Sequence, residues 1–239
     1  MNAEQAITPF QIIFASLIVL FILVVGVYIM LQSRKRAKND QVLSATLGFQ
    51  PLSKLPPDVL MRVKGAYQTS TRVKVSNAAQ FKSGNEEMYL FDISYQNMRA
   101  ENGEVEYRTI CMLVPNINLP FFLMLYKFEN VYGQAGGLIN KMFRMAIRFL
   151  DMKKIDFSLH PLFDKKYQLY GFKEENIRAV FTPRLLMDLS GTDQWIIRAE
   201  GDCVCFNTYD MRRGKMITQL ELTQHIQQAR KLAGWLSEN

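Results

Sequence analysis

The sequence predicts an α+β domain with a mainly antiparallel sheet covered by amphipathic helices, preceded by one N-terminal transmembrane helix. Three observations carry this. Phe10 to Leu31 contains no charged residue; alternating strand patterns with turn signals between them occupy 87–128 and 195–208; helical periods are confined to short pieces around those strands.

The apolar run reads FQIIFASLIVLFILVVGVYIML, and Gln11 and Ser16 are its clearly polar members. At about 1.5 Å rise per residue it spans about 33 Å, enough for a hydrocarbon core of about 30 Å. Pro9 stands just before it, where a helix start tolerates proline. A cleaved signal peptide would carry positive charge before a shorter apolar core and small residues at the cut. Here the run is longer, no such cut site follows, and the charges lie on the other side. A retained helix is expected.

Orientation follows from the flanks. Residues 1–9 hold no Lys or Arg, whereas Arg34, Lys35, Arg36 and Lys38 follow the span closely. The positive-inside rule puts the C-terminal side in the cytoplasm. The expected organisation is an extracytoplasmic stub at 1–9, the transmembrane helix at 10–32, a basic juxtamembrane linker at 33–46 and a cytoplasmic domain at 47–239. The bilayer is thus the first expected partner, through residues 10–32. The four basic residues set topology and also suit anionic lipid, at about 1 kcal/mol each near the surface.

Within the domain, Asn39–Thr46 reads as a short polar connection, and Pro51, Pro56 and Pro57 exclude regular helix from 47–58. A short helix follows in DVLMRVKGAY. Glu87–Tyr95 puts Tyr89, Phe91, Ile93 and Tyr95 on one strand face. Asn102-Gly103 suits a hairpin to a second strand at Glu106–Val114, and Leu119–Phe128 reads as a third, mostly buried strand. Leu138–Leu150 changes to helical period, with Lys141, Arg144 and Arg148 opposite an apolar side; such a helix covers a sheet or lies on a membrane surface. Glu174–Ser190 reads as two helical pieces, the second capped by Thr182 and closed by Gly191. Trp195–Ala199 and Cys203–Thr208 read as a hairpin. Thr218–Leu236 is a helix whose Leu222, Ile226, Ala229, Ala233 and Leu236 form one apolar stripe.

Charge and composition exclude some functions. Of 29 Lys and Arg, four lie in the neck, leaving 25 against 20 acidic residues from Ala45 onward. That mild excess is dispersed, so no nucleic-acid partner is expected. Cys111, Cys203 and Cys205 imply no disulfide framework, which agrees with a reducing compartment. Phosphate-loop and dinucleotide glycine motifs, H-E-x-x-H and G-x-S-x-G are all missing. His160 precedes a proline in a loop-like stretch, and His225 reads as a solvated helix edge. Glu86-Glu87 and Glu174-Glu175 diverge as sequence neighbours. Asp92 and Asp202 lie on or beside strands with nothing to select them, and Asp210–Lys215 reads as a solvated turn. No catalytic residue, cofactor or metal is expected; the three cysteines read as buried strand residues, with a soft thiolate site as the alternative.

LGF after the anchor, LFDISY, LPFF, IDFSLHPLFDKKYQLYGFKEENIRAVF and IIRAEGDCVCF resemble uncharacterised bacterial single-pass inner-membrane proteins with a cytoplasmic α+β domain. The resemblance covers most of 47–208 and implies a bacterial inner-membrane setting; it carries no activity and no site residues. The leading expectation is a non-enzymatic, membrane-tethered domain that binds a protein partner in the membrane or cytoplasm, or the membrane surface through Arg34, Lys35, Arg36, Lys38, Lys141, Arg144 and Arg148. The alternative is a motif-poor enzyme acting on a lipid or envelope precursor.

Overall fold

The computed structural model describes residues 9–97, 104–127, 129–130, 151–192, 194–211 and 217–238. The chain divides into two units, Met1–Leu43 and Ser44–Asn239.

Helix α1 runs Pro9–Thr46. The stretch 39–46, expected as a polar connection, is its last turns, because no proline or glycine interrupts it. Gly48 ends it at φ +82, and the amides of Gly48 and Phe49 donate to the Ala45 and Ser44 carbonyls at 3.0 and 2.9 Å. This is the paired bonding of a Schellman stop, which needs a left-handed residue after the helix. Leu20, Phe21, Leu23, Val24, Val27, Tyr28 and Leu31 of α1 are exposed. The other apolar side chains of the expected span, 10–19, 22, 29 and 30, lie outside the described residues, and among the described residues no helix is long and apolar enough to cross a membrane.

The second unit is α+β, built among the described residues on nine strands. They are β1 (Gln50–Pro51), β2 (Ser70–Ser83), β3 (Glu86–Asn97), β4 (Glu104–Leu113), β5 (Leu119–Tyr126), β6 (Lys153–Ile155), β7 (Tyr167–Gly171), β8 (Trp195–Gly201) and β9 (Cys203–Thr208). They form one sheet in the order β1-β2-β3-β4-β9-β8-β5-β7-β6, each strand antiparallel to its neighbours. The β8–β9 hairpin, turning at Gly201 (φ +61), therefore inserts between β4 and β5. Residues some 90 positions apart in sequence become neighbours across β4 and β9.

Among the described residues this unit has helices α2 (Pro57–Ala66), α3 (Pro161–Lys166), α4 (Glu174–Val180), α5 (Pro183–Ser190) and α6 (Gln219–Ser237). Helix α2 starts with proline at its first position, where no amide is needed, and buries Val59, Val63 and Ala66. It packs on the sheet face that carries Tyr89, Phe91, Ile93, Tyr95, Cys111, Leu123 and Tyr170. Helix α6 packs on β4, with His225 edge-on to Trp195 of β8 at 5.8 Å. Thr218 and Glu221 close its N-terminus as a reciprocal capping box, and the stripe Leu222, Ile226, Ala229, Ala233 and Leu236 is buried as expected. Helix α4 reaches β5 and β7 through Ile177. A methyl at Gly171 would stand 2.1 Å from Ile177 Cδ1 and 2.9 Å from the Phe121 carbonyl, so this contact needs glycine.

On the α6 side, β3 and β4 hold a buried ion pair. Arg108 Nη1 donates to Asp92 Oδ1 at 3.1 Å and to the Asn77 carbonyl at 3.2 Å; Arg108 Nη2 donates to Ser44 Oγ at 3.0 Å; Asn77 Nδ2 donates to Asp92 Oδ2 at 2.7 Å. Asn77 sits in a β2 bulge at φ +50, so the pair also secures that irregularity.

Helices at 57–66, 174–180, 183–190 and 219–237, and strands β3, β4, β5, β8 and β9, fall where the pattern predicts them. Strand β2 is an addition. Bulges between Thr71 and Lys74 and between Ser76 and Ala79, with Arg72 and Asn77 at positive φ, break its alternation. The stretch 153–171 is also ordered: β6, α3 and β7 replace the loop expected around His160, which precedes α3 as its N-terminal cap residue. The Asn102-Gly103 turn and the Leu138–Leu150 helix lie outside the described residues.

Candidate functional site

Three thiols meet beneath α2. Cys111 on β4 and Cys205 on β9 are register partners, and Cys203 lies two residues along β9 on the same face. Cys111 Sγ is 3.6 Å from Cys203 Sγ, which is 3.9 Å from Cys205 Sγ, and all three sulfurs lie within 4.8 Å of one another. All three side chains are fully buried and none is in a disulfide. This is the group of metal-ligating side chains that the fold assembles among the described residues.

Arg198 stands beside them. It is the β8 register partner of Cys205, so both project from the same sheet face. Only 3% of it is exposed. Its guanidinium lies over the Tyr67 and Tyr95 rings at 4.7 and 5.0 Å, and Nη2 donates to Tyr95 Oη at 3.4 Å. Nε and Nη1 find no acceptor among the described residues. A buried cation without a carboxylate costs several kcal/mol, of which cation–π contact returns about 2. Tyr67, the residue that ends α2, donates to Asn207 Oδ1 at 2.9 Å, and Asn207 Nδ2 donates to Thr109 Oγ1 at 2.5 Å. This network ties α2 to the strands that carry the thiols.

The thiols influence one another. Thiol hydrogen bonds, from Cys111 first and Cys205 next, pull Cys203 down to about 5, while Cys111 is pushed up, chiefly by the same contact with Cys203. Burial, then the nearby Cys205, pushes Tyr67 well above the ordinary phenol range. Burial, then the hydrogen bond Tyr89 donates to Glu87 at 2.6 Å, does the same for Tyr89. Both phenols have folded values above their unfolded ones. Their contribution is therefore complete below about pH 10 and is lost as pH rises beyond it. Stability of the full chain in denaturant should fall as pH rises from about 10 to about 12, and Tyr89→Phe should flatten that fall by up to about 1.4 kcal/mol per pH unit. An identical slope in the variant would show that Tyr89 already ionises in the folded chain.

The residues weighed from sequence are dispersed. Lys35 and Lys38 are exposed on α1; the side chains of Arg34 and Arg36, and all of Lys141, Arg144 and Arg148, lie outside the described residues. Asp92 is engaged by Arg108, Asp202 pairs with Arg62, Glu86 pairs with Arg230 and Glu174 with Arg178. His225, expected at a solvated edge, is half-buried against Trp195. Of Asp210–Lys215, Asp210 and Met211 end a 3-10 turn, and 212–215 lie outside the described residues. Asp92 is thus held in a buried ion pair, and His160 stands at the N-terminus of α3. A cleft of about 280 Å³ between the end of α5 and α6, lined by Gly191, Thr192, Gln228, Lys231, Leu232 and Trp235, lies just under the usual small-molecule range of about 300–1,000 Å³. Arg198 carries no signal in the sequence, because only the sheet order shows it buried with Nε and Nη1 lacking an acceptor among the described residues.

No protein family and no curated protein matches the chain. Its fold is similar to the crystal structure of the mycobacterial trehalose monomycolate transport factor A, TtfA, with a TM-score of 0.51 at 8% identity, covering 85% of this chain and 95% of that one. At that identity the likeness shows the shared fold.

Proposed function

We propose that the chain is a membrane-tethered α+β domain that works at the bacterial inner membrane by binding a protein partner or the membrane surface, with α1 as its anchor and the domain in the cytoplasm. The observation that carries this is the exposed apolar surface of α1, which runs around more than one side of the helix. Leu20, Phe21, Leu23 and Val24 are 58%, 69%, 60% and 60% exposed. Helix neighbours point about 100° apart, so they cannot share one narrow stripe, and a helix apolar on several sides suits lipid rather than water. The basic neck at Arg34, Lys35, Arg36 and Lys38 supports the orientation. The similarity to a trehalose monomycolate transport factor is in keeping with a role at the envelope.

The test is fractionation of cells making the full chain. It should stay in the membrane pellet through an alkaline carbonate wash, and protease added to spheroplasts should leave the domain intact. Leu23→Arg with Val27→Arg should move it to the supernatant, since each central arginine costs about 2.5–3.5 kcal/mol of insertion. Recovery of the unaltered chain in the wash would refute the anchor, and cleavage of the domain from outside would refute the orientation.

A further inference from the structure

We propose that Cys111, Cys203 and Cys205 form a three-thiolate site for one zinc-class divalent cation, with Arg198 as its buried counter-charge. The site is independent of the membrane reading.

Spacing comes first. A tetrahedral cation with metal–sulfur bonds of about 2.3 Å holds its sulfurs about 3.8 Å apart. The Cys111–Cys203 and Cys203–Cys205 sulfur separations are 3.6 and 3.9 Å. Little movement is needed to seat the ion. Three packed thiols without a metal can also approach this closely, so spacing alone does not decide the matter.

Charge decides it. With three neutral thiols, Arg198 is a buried cation whose Nε and Nη1 have no acceptor among the described residues. Three thiolates and one divalent cation carry a net single negative charge. Set beside the register partner of Cys205, that charge neutralises the guanidinium. A monovalent cation on three thiolates would leave the core charged. Soft thiolates in a dry core also exclude magnesium and calcium, which take oxygen ligands. The reaction balances without an oxidant: three S–H bonds break, three metal–sulfur bonds form, and three protons pass to solvent.

Burial sets when the ion enters. All three cysteines are 0% exposed and lie in one core cluster with Val63 and Ala66 of α2 and with Tyr67 just after it, so the ion is taken up as α2 closes on the sheet. The measurement is therefore made on the full chain as cells produce it, extracted in mild detergent, with free thiols blocked at lysis. Elemental analysis should find zinc at about one per chain. Protein from cobalt-supplemented cells should show a thiolate-to-cobalt charge-transfer band. Cys203→Ser and Cys205→Ala should each abolish both signals while circular dichroism confirms the fold. Arg198→Met, which keeps all three sulfurs, should weaken zinc retention against a chelator by roughly 10–100-fold. Absence of zinc from the unaltered chain would overturn the proposal without any variant being needed. So would copper in its place, a Cys111–Cys203 disulfide in the blocked protein, or zinc retained by both cysteine variants.

Discussion

Asp92→Ala is expected to destabilise the domain by about 3–5 kcal/mol, lowering the melting temperature of the full chain by about 6–20 °C. The size comes from what remains. Asp92 and Arg108 are each 3% exposed, and Asp92 accepts from both Arg108 and Asn77. Alanine leaves the guanidinium in the core with the Asn77 carbonyl and Ser44 Oγ, neither of which carries a full charge. It also frees the Asn77 amide that holds the β2 bulge. Removing both charges is a different experiment. Asp92→Leu with Arg108→Met should recover most of the loss, because replacing a whole buried pair by apolar groups is often neutral or better. Thermal melts of both variants check this, and a single variant melting within about 1 kcal/mol of the parent would show that the pair is not buried as described.

Two arginines buried in the sheet, Arg108 and Arg198, differ in how they are satisfied. Arg108 is satisfied by an acid, a carbonyl and a hydroxyl, which is what a structural charge looks like. Arg198 has two aromatic faces and one long bond. Sequences tend to be consistent at every level except where function requires otherwise, so the unsatisfied arginine is the one to question. Its neighbours are the three thiols. Two separate oddities, an uncompensated cation and a cysteine cluster, become one site once a negatively charged metal–thiolate group is placed between them.

Local signals made part of this legible from sequence. Thr182-Pro183 and Gly191 bracket α5, and Thr218 with Glu221 caps α6, because caps are read within four residues. The alternation of Glu87–Tyr95 gave the correct core face, since its period needs no partner strand. Sheet order was not legible. Cys111 and Cys203 are 92 positions apart, and nothing local says that the β8–β9 hairpin inserts beside β4. The three cysteines are buried strand residues, as their sequence context predicts, but only the sheet order shows that their sulfurs meet. Strand β2 escaped because bulges at Arg72 and Asn77 disrupt the period on which recognition depends. His225 was misplaced because a residue flanked by glutamines on a helix edge gives no sign of a tryptophan on the strand below.

Trp195→Ala should cost about 3–5 kcal/mol, the usual range for deleting a large buried ring. Trp195 is 0% exposed, with its ring 6.0 Å from Phe206 and 5.8 Å from His225 at near-perpendicular angles. It lies on the sheet face opposite the thiols, at the contact between β8 and α6, so its loss opens a void that the stripe of α6 must collapse to fill. Partial collapse is why such losses exceed simple transfer. Trp195→Phe separates shape from polarity. Nε1 has no acceptor among the described residues, so phenylalanine removes an unmet donor as well as some volume. Its cost should therefore be small, about 1 kcal/mol, the saved desolvation offsetting most of the lost packing. Denaturant melts of the two variants in the full chain test the assignment, and equal losses would mean that the indole N–H is satisfied and that α6 does not rest on this ring. Because the thiols face the other way, zinc content should survive Trp195→Phe, whereas Cys203→Ser removes zinc with Trp195 intact.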